Sequence, residues 1–156
     1  MKKLIIALVS LAVLLITGTA SAVTVDLIAD GGSPATEVVV GTVEVTSDGT
    51  DLVVEYNTSG GWEMTATHLG VKTDAYDGIN AKTNGNVSVG KMAAGGDKTG
   101  VKHDPAVTTY TYTIALEDVD ATPGDPIEVA AHAKVRILLD PVPSEPPYYR
   151  EESGWG

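Results

Sequence analysis

Residues Thr109–Leu116 read TYTYTIAL, and their alternation is unbroken. Tyr110, Tyr112, Ile114 and Leu116 fall on one side; Thr109, Thr111, Thr113 and Ala115 fall on the other. In an extended chain successive side chains point to opposite faces, so this order makes one apolar and one polar face. A helix would scatter the same four apolar residues around its axis. The segment is therefore a half-buried strand, and its aromatic and β-branched content suits a pleated surface.

The same period recurs downstream of residue 22. Val23–Ala29 reads as a first strand, followed by the turn cluster Asp30-Gly31-Gly32-Ser33-Pro34. Glu37–Thr46 is β-branched, and Ser47-Asp48-Gly49-Thr50 supplies an Asp-Gly hairpin turn into Asp51–Thr58. There Leu52, Val54 and Tyr56 share a face. Ser59-Gly60-Gly61 turns the chain into Trp62–Lys72, and Ile127–Leu139 sends Ile127, Val129, Ala131, Ala133, Val135 and Ile137 to one side. Two stretches break the pattern. Thr73–Ala106 is Gly- and Asn-rich and reads as one long loop with a short strand at Asn86–Met92. Asp140–Gly156 holds Pro141, Pro143, Pro146 and Pro147, which favour an extended polyproline arm. The expected fold is all-β: an antiparallel sandwich of about seven strands over residues 23–139, with a Pro-rich tail over 140–156.

Residues 1–22 have a different character. Lys2 and Lys3 precede an apolar run from Leu4 to Ile16, broken only by Ser10, and Ala20-Ser21-Ala22 offers small residues for cleavage after Ala22. The run is shorter than the roughly 20 residues that span a bilayer, so it reads as a secretory signal and leaves no transmembrane anchor once removed. The expected location is extracellular or at the cell surface, or periplasmic where the host has an outer membrane. The formal charge of −11 becomes two units more negative when Lys2 and Lys3 leave. Such a balance excludes nucleic acid, whose phosphates need a basic face. Without Cys there is no disulfide framework, so burial and strand pairing hold the domain.

Candidate chemistry is sparse. His68, His103 and His132 are the residues able to bind a metal through imidazole, if the fold makes them converge. The apolar phase slips near Thr67-His68, between the Trp62–Ala66 set and the Leu69–Val71 set, which is the signature of a β-bulge. Asp74-Ala75-Tyr76-Asp77-Gly78 and Asp118-Val119-Asp120-Ala121-Thr122 space oxygen ligands as calcium loops do, without EF-hand spacing. Asx-rich turns equally end strands. A divalent cation is the cofactor these groups would suit. Asn57 and Asn86 each open a glycosylation sequon, and Tyr148, Tyr149 and Trp155 on the Pro-rich arm are either aromatic anchors for a partner or a cover over the open end of the sandwich. There is no nucleophile elbow, HExxH helix or P-loop, and enzymatic activity is not expected.

Three segments also carry a family resemblance: Gly61-Trp62-Glu63-Met64-Thr65-Ala66-Thr67-His68-Leu69, His103-Asp104-Pro105-Ala106-Val107-Thr108-Thr109-Tyr110-Thr111-Tyr112-Thr113-Ile114, and Ile127-Glu128-Val129-Ala130-Ala131-His132-Ala133. With Gly85-Asn86, Gly90-Lys91-Met92 and the closing Glu152–Gly156, the chain from about Leu27 onward resembles a family of secreted or cell-surface β-domains of archaeal and bacterial envelope proteins. The resemblance implies a shared fold and brings no activity with it. The expected role is a non-enzymatic envelope module, structural or adhesive, whose partners are other envelope proteins or copies of itself. Strand addition by Val23–Ala29 to a neighbour's sheet edge is one route to such assembly. A small extracellular metal-binding protein is the alternative.

Overall fold

The structure is a computed structural model and describes residues 12–15, 21–29, 37–80, 87–138 and 149–156. Its long strands are β1 (Ala12–Leu15), β2 (Ser21–Ala29), β3 (Val38–Ser47), β4 (Asp51–Thr58) and β5 (Trp62–Lys72). A small hairpin of β6 (Ala93–Ala94) and β7 (Asp97–Lys98) interrupts them. They continue as β8 (Val101–Val107), β9 (Thr109–Ala115), β10 (Pro126–Leu138) and β11 (Tyr149–Trp155). Every ladder is antiparallel, as alternating faces and short turns favour.

The expected all-β class is what folds, but its layering differs. One sheet runs β8-β5-β10-β11-β2-β3-β4-β9, with β1 added on β10. It curls into a near-barrel where the sequence suggests two stacked sheets. Its end strands meet through side chains: the His103 ring of β8 lies 4.6 Å from the Tyr110 ring of β9. Tyr112 of β9 reaches Thr67 of β5 at 2.9 Å. Alternation alone does not choose between two layers and one curled layer, because both give every strand one buried face.

Inside the curl sit the residues that the alternation marks as inward. Leu52, Val54, Tyr56, Tyr112, Leu116, Ile127, Val129, Ala131, Ala133 and Val135 are buried in one core with Leu27, Val43, Met64 and Leu69. The irregularity on β5 is real. Its buried phase passes from Trp62, Met64 and Ala66 to Thr67, Leu69 and Val71. The extra residue is Thr65, since Met64 faces Val135 while Ala66 faces Lys134. Close approach elsewhere requires glycine: a Cβ on Gly41 would lie 1.9 Å from the Asn57 carbonyl oxygen.

Two sequence expectations need correcting. The long loop contains a real strand, β8, and residues 89–91 of the expected Asn86–Met92 strand form a 3-10 turn. Lys102, Asp104 and Pro105 disguise β8, but charge and proline are tolerated on an end strand. The tail is likewise no free arm over its last residues: Tyr149–Trp155 is β11, a wall strand paired with β10 from Leu138↔Tyr149 to His132↔Trp155. Gly154 lets it lie close to β2, where a Cβ would sit 3.1 Å from Leu27 Cγ. The prolines of residues 140–147 lie outside the described residues.

Candidate functional site

The chemistry-bearing side chains gather on and around β5 and β10. His68 and His132 are register partners across that ladder. Both point to the outer face, opposite the inward Thr67, Leu69, Ala131 and Ala133, and their Nδ1 atoms are 3.3 Å apart. His132 is only 3% exposed. Next to it on that face, Ala130 forms a second small core with Ile79 and Met92, packed by Val87 and Val89, so the segment after β5 covers this stretch of wall. A Cβ on Gly100 would stand 3.0 Å from the His68 ring.

Burial first, then the neighbouring His68 and Lys134, holds the His132 imidazole down to about 3. Burial and Lys134 lower His68 as well. Two imidazoles this close, beside an ammonium, cannot both be charged at low cost, so the pair stands neutral at pH 7. One ring then has a proton to donate and the other a lone pair to accept it.

The third histidine goes elsewhere. His103 Nε2 lies 3.1 Å from Thr67 Oγ1, on the inward side of β5. Tyr112 donates to the Thr99 carbonyl at 2.6 Å, so the 2.9 Å bond between Tyr112 and Thr67 is donated by Thr67. Thr67 therefore accepts from His103, which places the His103 proton on Nε2. The row His103, Thr67, Tyr112, Thr99 is a directed chain of hydrogen bonds that ties β8, β5 and β9 together. Thr99 Oγ1 extends it, accepting from the Leu69 amide and donating to the Leu69 carbonyl. Burial pushes the Tyr112 phenol up to about 12, so it remains a donor across the physiological range. From the facing wall, Tyr56 donates to the His68 carbonyl at 2.8 Å.

The structure thus brings two of the three candidate histidines together and turns the third into a strand clasp. Among the described residues, no group of three or more His, Asp or Glu is placed to hold a metal ion. The two acidic turns do converge. Asp74, from the turn after β5, and Asp120 line one cleft of about 100 Å³ with Thr73, Ala75, Asp125 and Pro126. Thr73 Oγ1 joins the turns by donating to the Val119 carbonyl at 2.9 Å, and Asp125 is committed to Thr122, accepting from its amide and hydroxyl at 2.7 Å. Separate sequence positions gave no hint of this convergence.

The remaining candidates divide. Asn57 donates from Nδ2 to Glu55 at 2.6 Å and accepts from Thr109 at 2.8 Å. Asn86 and Tyr148 lie outside the described residues, and Tyr149 and Trp155 are the first and last residues of β11. Ala22, the expected cleavage residue, is exposed in β2 opposite Thr46.

What sequence reasoning missed is a strand edge. Along Glu128–Ile137, β10 is paired with β5 on one side. On its other side β11 covers His132–Leu138, and Gly156 exchanges both backbone hydrogen bonds with Ala131. The first part of that same side, Pro126–Val129, is covered by β1, with Leu15 opposite Pro126 and Ala12 opposite Val129. The strand that completes the wall there comes from the apolar run of the expected signal. Comparison with protein-family models, curated proteins and solved structures returns no match, so fold and site are read from this chain alone.

Proposed function

We propose that this chain is exported and acts outside the cytoplasm as a non-enzymatic interaction module of the cell envelope, working through its strand edges and surface. The observation that carries the reading is in the sequence, where Lys2 and Lys3, the apolar run Leu4–Ile16 and the small residues Ala20-Ser21-Ala22 have the form of a removable leader. The polar side chains argue in the same direction. Tyr56, Thr67, Thr99, Tyr112 and His103 spend their hydrogen bonds joining strands to one another. Expression of the full chain in an exporting host tests the reading: the protein should be recovered outside the cytoplasm with a mass lacking residues 1–22. Full-length protein retained in the cytoplasm would contradict it.

A second reading has one observation in its favour. Asp74, Asp120 and Asp125 line one cleft without forming a three-ligand set, and a cation held there by fewer protein ligands would make the chain a small extracellular cation-binding protein. Any ion that binds the native state must raise the melting midpoint. Melts in EDTA and then in millimolar calcium or zinc decide it, an unchanged midpoint removing the cation.

A further inference from the structure

We infer that removal of residues 1–22 opens a strand-binding slot on β10 along Pro126–Val129, and that a second copy of this chain fills it head to tail with its Val38–Val39 edge. The inference rests on the export reading and goes a step beyond it.

The acceptor is defined by what occupies it. β1 shows that this edge takes an extended segment, antiparallel to β10, four residues long. β1 also lies beside β2, so it stands between two strands of the same wall. The ladder that joins β11 to β2 consists of Gly154↔Ala29 and Trp155↔Ile28 among the described residues. Val23–Ala29 keeps its ladder to β3 on one edge, while its other edge faces β1 and is laddered only at Ile28 and Ala29 among the described residues. Strand donation by Val23–Ala29, the route that the sequence suggests, would break that ladder. Donation at the β10 edge breaks none. An unpaired edge flanked by ordered strands is a template for another chain.

The donor is read from the opposite end of the sheet. β2 runs in the same direction as β10, because each is antiparallel to β11. β3 therefore begins at the end where β10 finishes. Val38 and Val39, which open β3, are 38% and 55% exposed, and Leu138, which closes β10, is 48% exposed. These are the exposed large apolar residues of the described chain. The ladder between β3 and β4 starts only at Gly41↔Thr58. The β4-facing edge of Val38 and Val39 thus has no ladder partner among the described residues. An open edge at one end and a vacated edge at the other make a heterologous contact, which repeats into chains unless its rotation closes a ring. The net negative charge of each copy opposes such a contact, so salt should favour it.

The experiment begins with the full chain in an exporting host and the mass of what is recovered. Retention of residues 1–22 overturns the export reading, and this inference falls with it because the slot stays filled. With processed protein in hand, light scattering across concentration and salt should show masses of two or more chains, increasing with both. Peptides covering Ile127–Val129 should lose exchange of their amide hydrogens as the mass rises. Val39→Asp, at an exposed position that the fold tolerates, should return the protein to monomer with an unchanged melt. A processed protein that stays monomeric at every concentration and salt overturns the slot while leaving export standing. So does a Val39→Asp protein that assembles like the parent, or assembly that leaves exchange at Ile127–Val129 unaltered.

Discussion

The two halves of β10 have the same partner on one side and different partners on the other. Both ladder to β5. The second half, His132–Leu138, is closed by β11, and the first, Pro126–Val129, by β1. β11 is bound in by tight packing: Gly154 lies against Leu27, and Gly156 fits where a Cβ would come within 2.8 Å of Val43. β1 belongs to an apolar run with the features of a removable signal. On the export reading proposed above, one strand is half permanently closed and half provisionally closed. On that reading the difference marks where, among the described residues, the β-wall opens to a partner.

The largest effect should come from removing the cover supplied by β11. Deleting residues 149–156 takes a strand from the middle of the sheet and should abolish cooperative unfolding. Deleting residues 1–22 should leave a β-type far-UV spectrum and a sharp melt. If both truncations unfold the protein alike, the two halves are equivalent and the comparison fails.

Acid is the next lever, and it acts beside the permanently closed half. The His132 imidazole is held from its ordinary 6.5 down to about 3. A histidine whose folded value lies below its unfolded value contributes stability that is complete above the unfolded value and is lost as pH falls toward the folded one. The loss should run from about pH 6.5 to about pH 3 and amount to something on the order of 4 kcal/mol. Urea melts against pH check this. His132→Gln should flatten the acid limb, and a limb of unchanged depth in that variant would deny the pair its role.

Tyr112→Phe tests the clasp between the two ends of the curl. It removes the donor to the Thr99 carbonyl and the acceptor for Thr67, leaving buried groups unpaired, and should cost about 1–3 kcal/mol. A loss near zero would mean that the ends of the sheet are not joined there. The smallest effect belongs to Lys72 and Glu128, register partners on the β1 half whose charged ends are 3.7 Å apart and whose side chains are 42% and 33% exposed. Lys72→Gln should cost less than about 1 kcal/mol, and added salt should erase the difference.

Much of the wall was legible in the sequence because alternation is a local property. The inward residues of β4, β9 and β10 follow from period two, and the phase slip on β5 announced its extra residue, two places before the expected position. What stayed hidden depends on who faces whom. The pairing of His68 with His132 is set by a register between segments 64 residues apart. β8 carries charges and a proline because it ends the sheet. β11 lacks an apolar face because glycine, not a side chain, brings it close to Leu27. That β1 is what covers the edge of Pro126–Val129 could not be seen at all, since the partner of an edge is a property of the neighbouring strand and not of the residues that own it.

The most direct measurement is residue-resolved amide hydrogen exchange on processed protein kept monomeric by Val39→Asp. The amides of Ala133–Val135 should exchange only with global unfolding, while those of Ile127–Val129 that face the β1 side should exchange orders of magnitude faster. Equal protection along the whole of β10 would mean that the first half is closed by the processed chain itself, and the vacated edge would not exist.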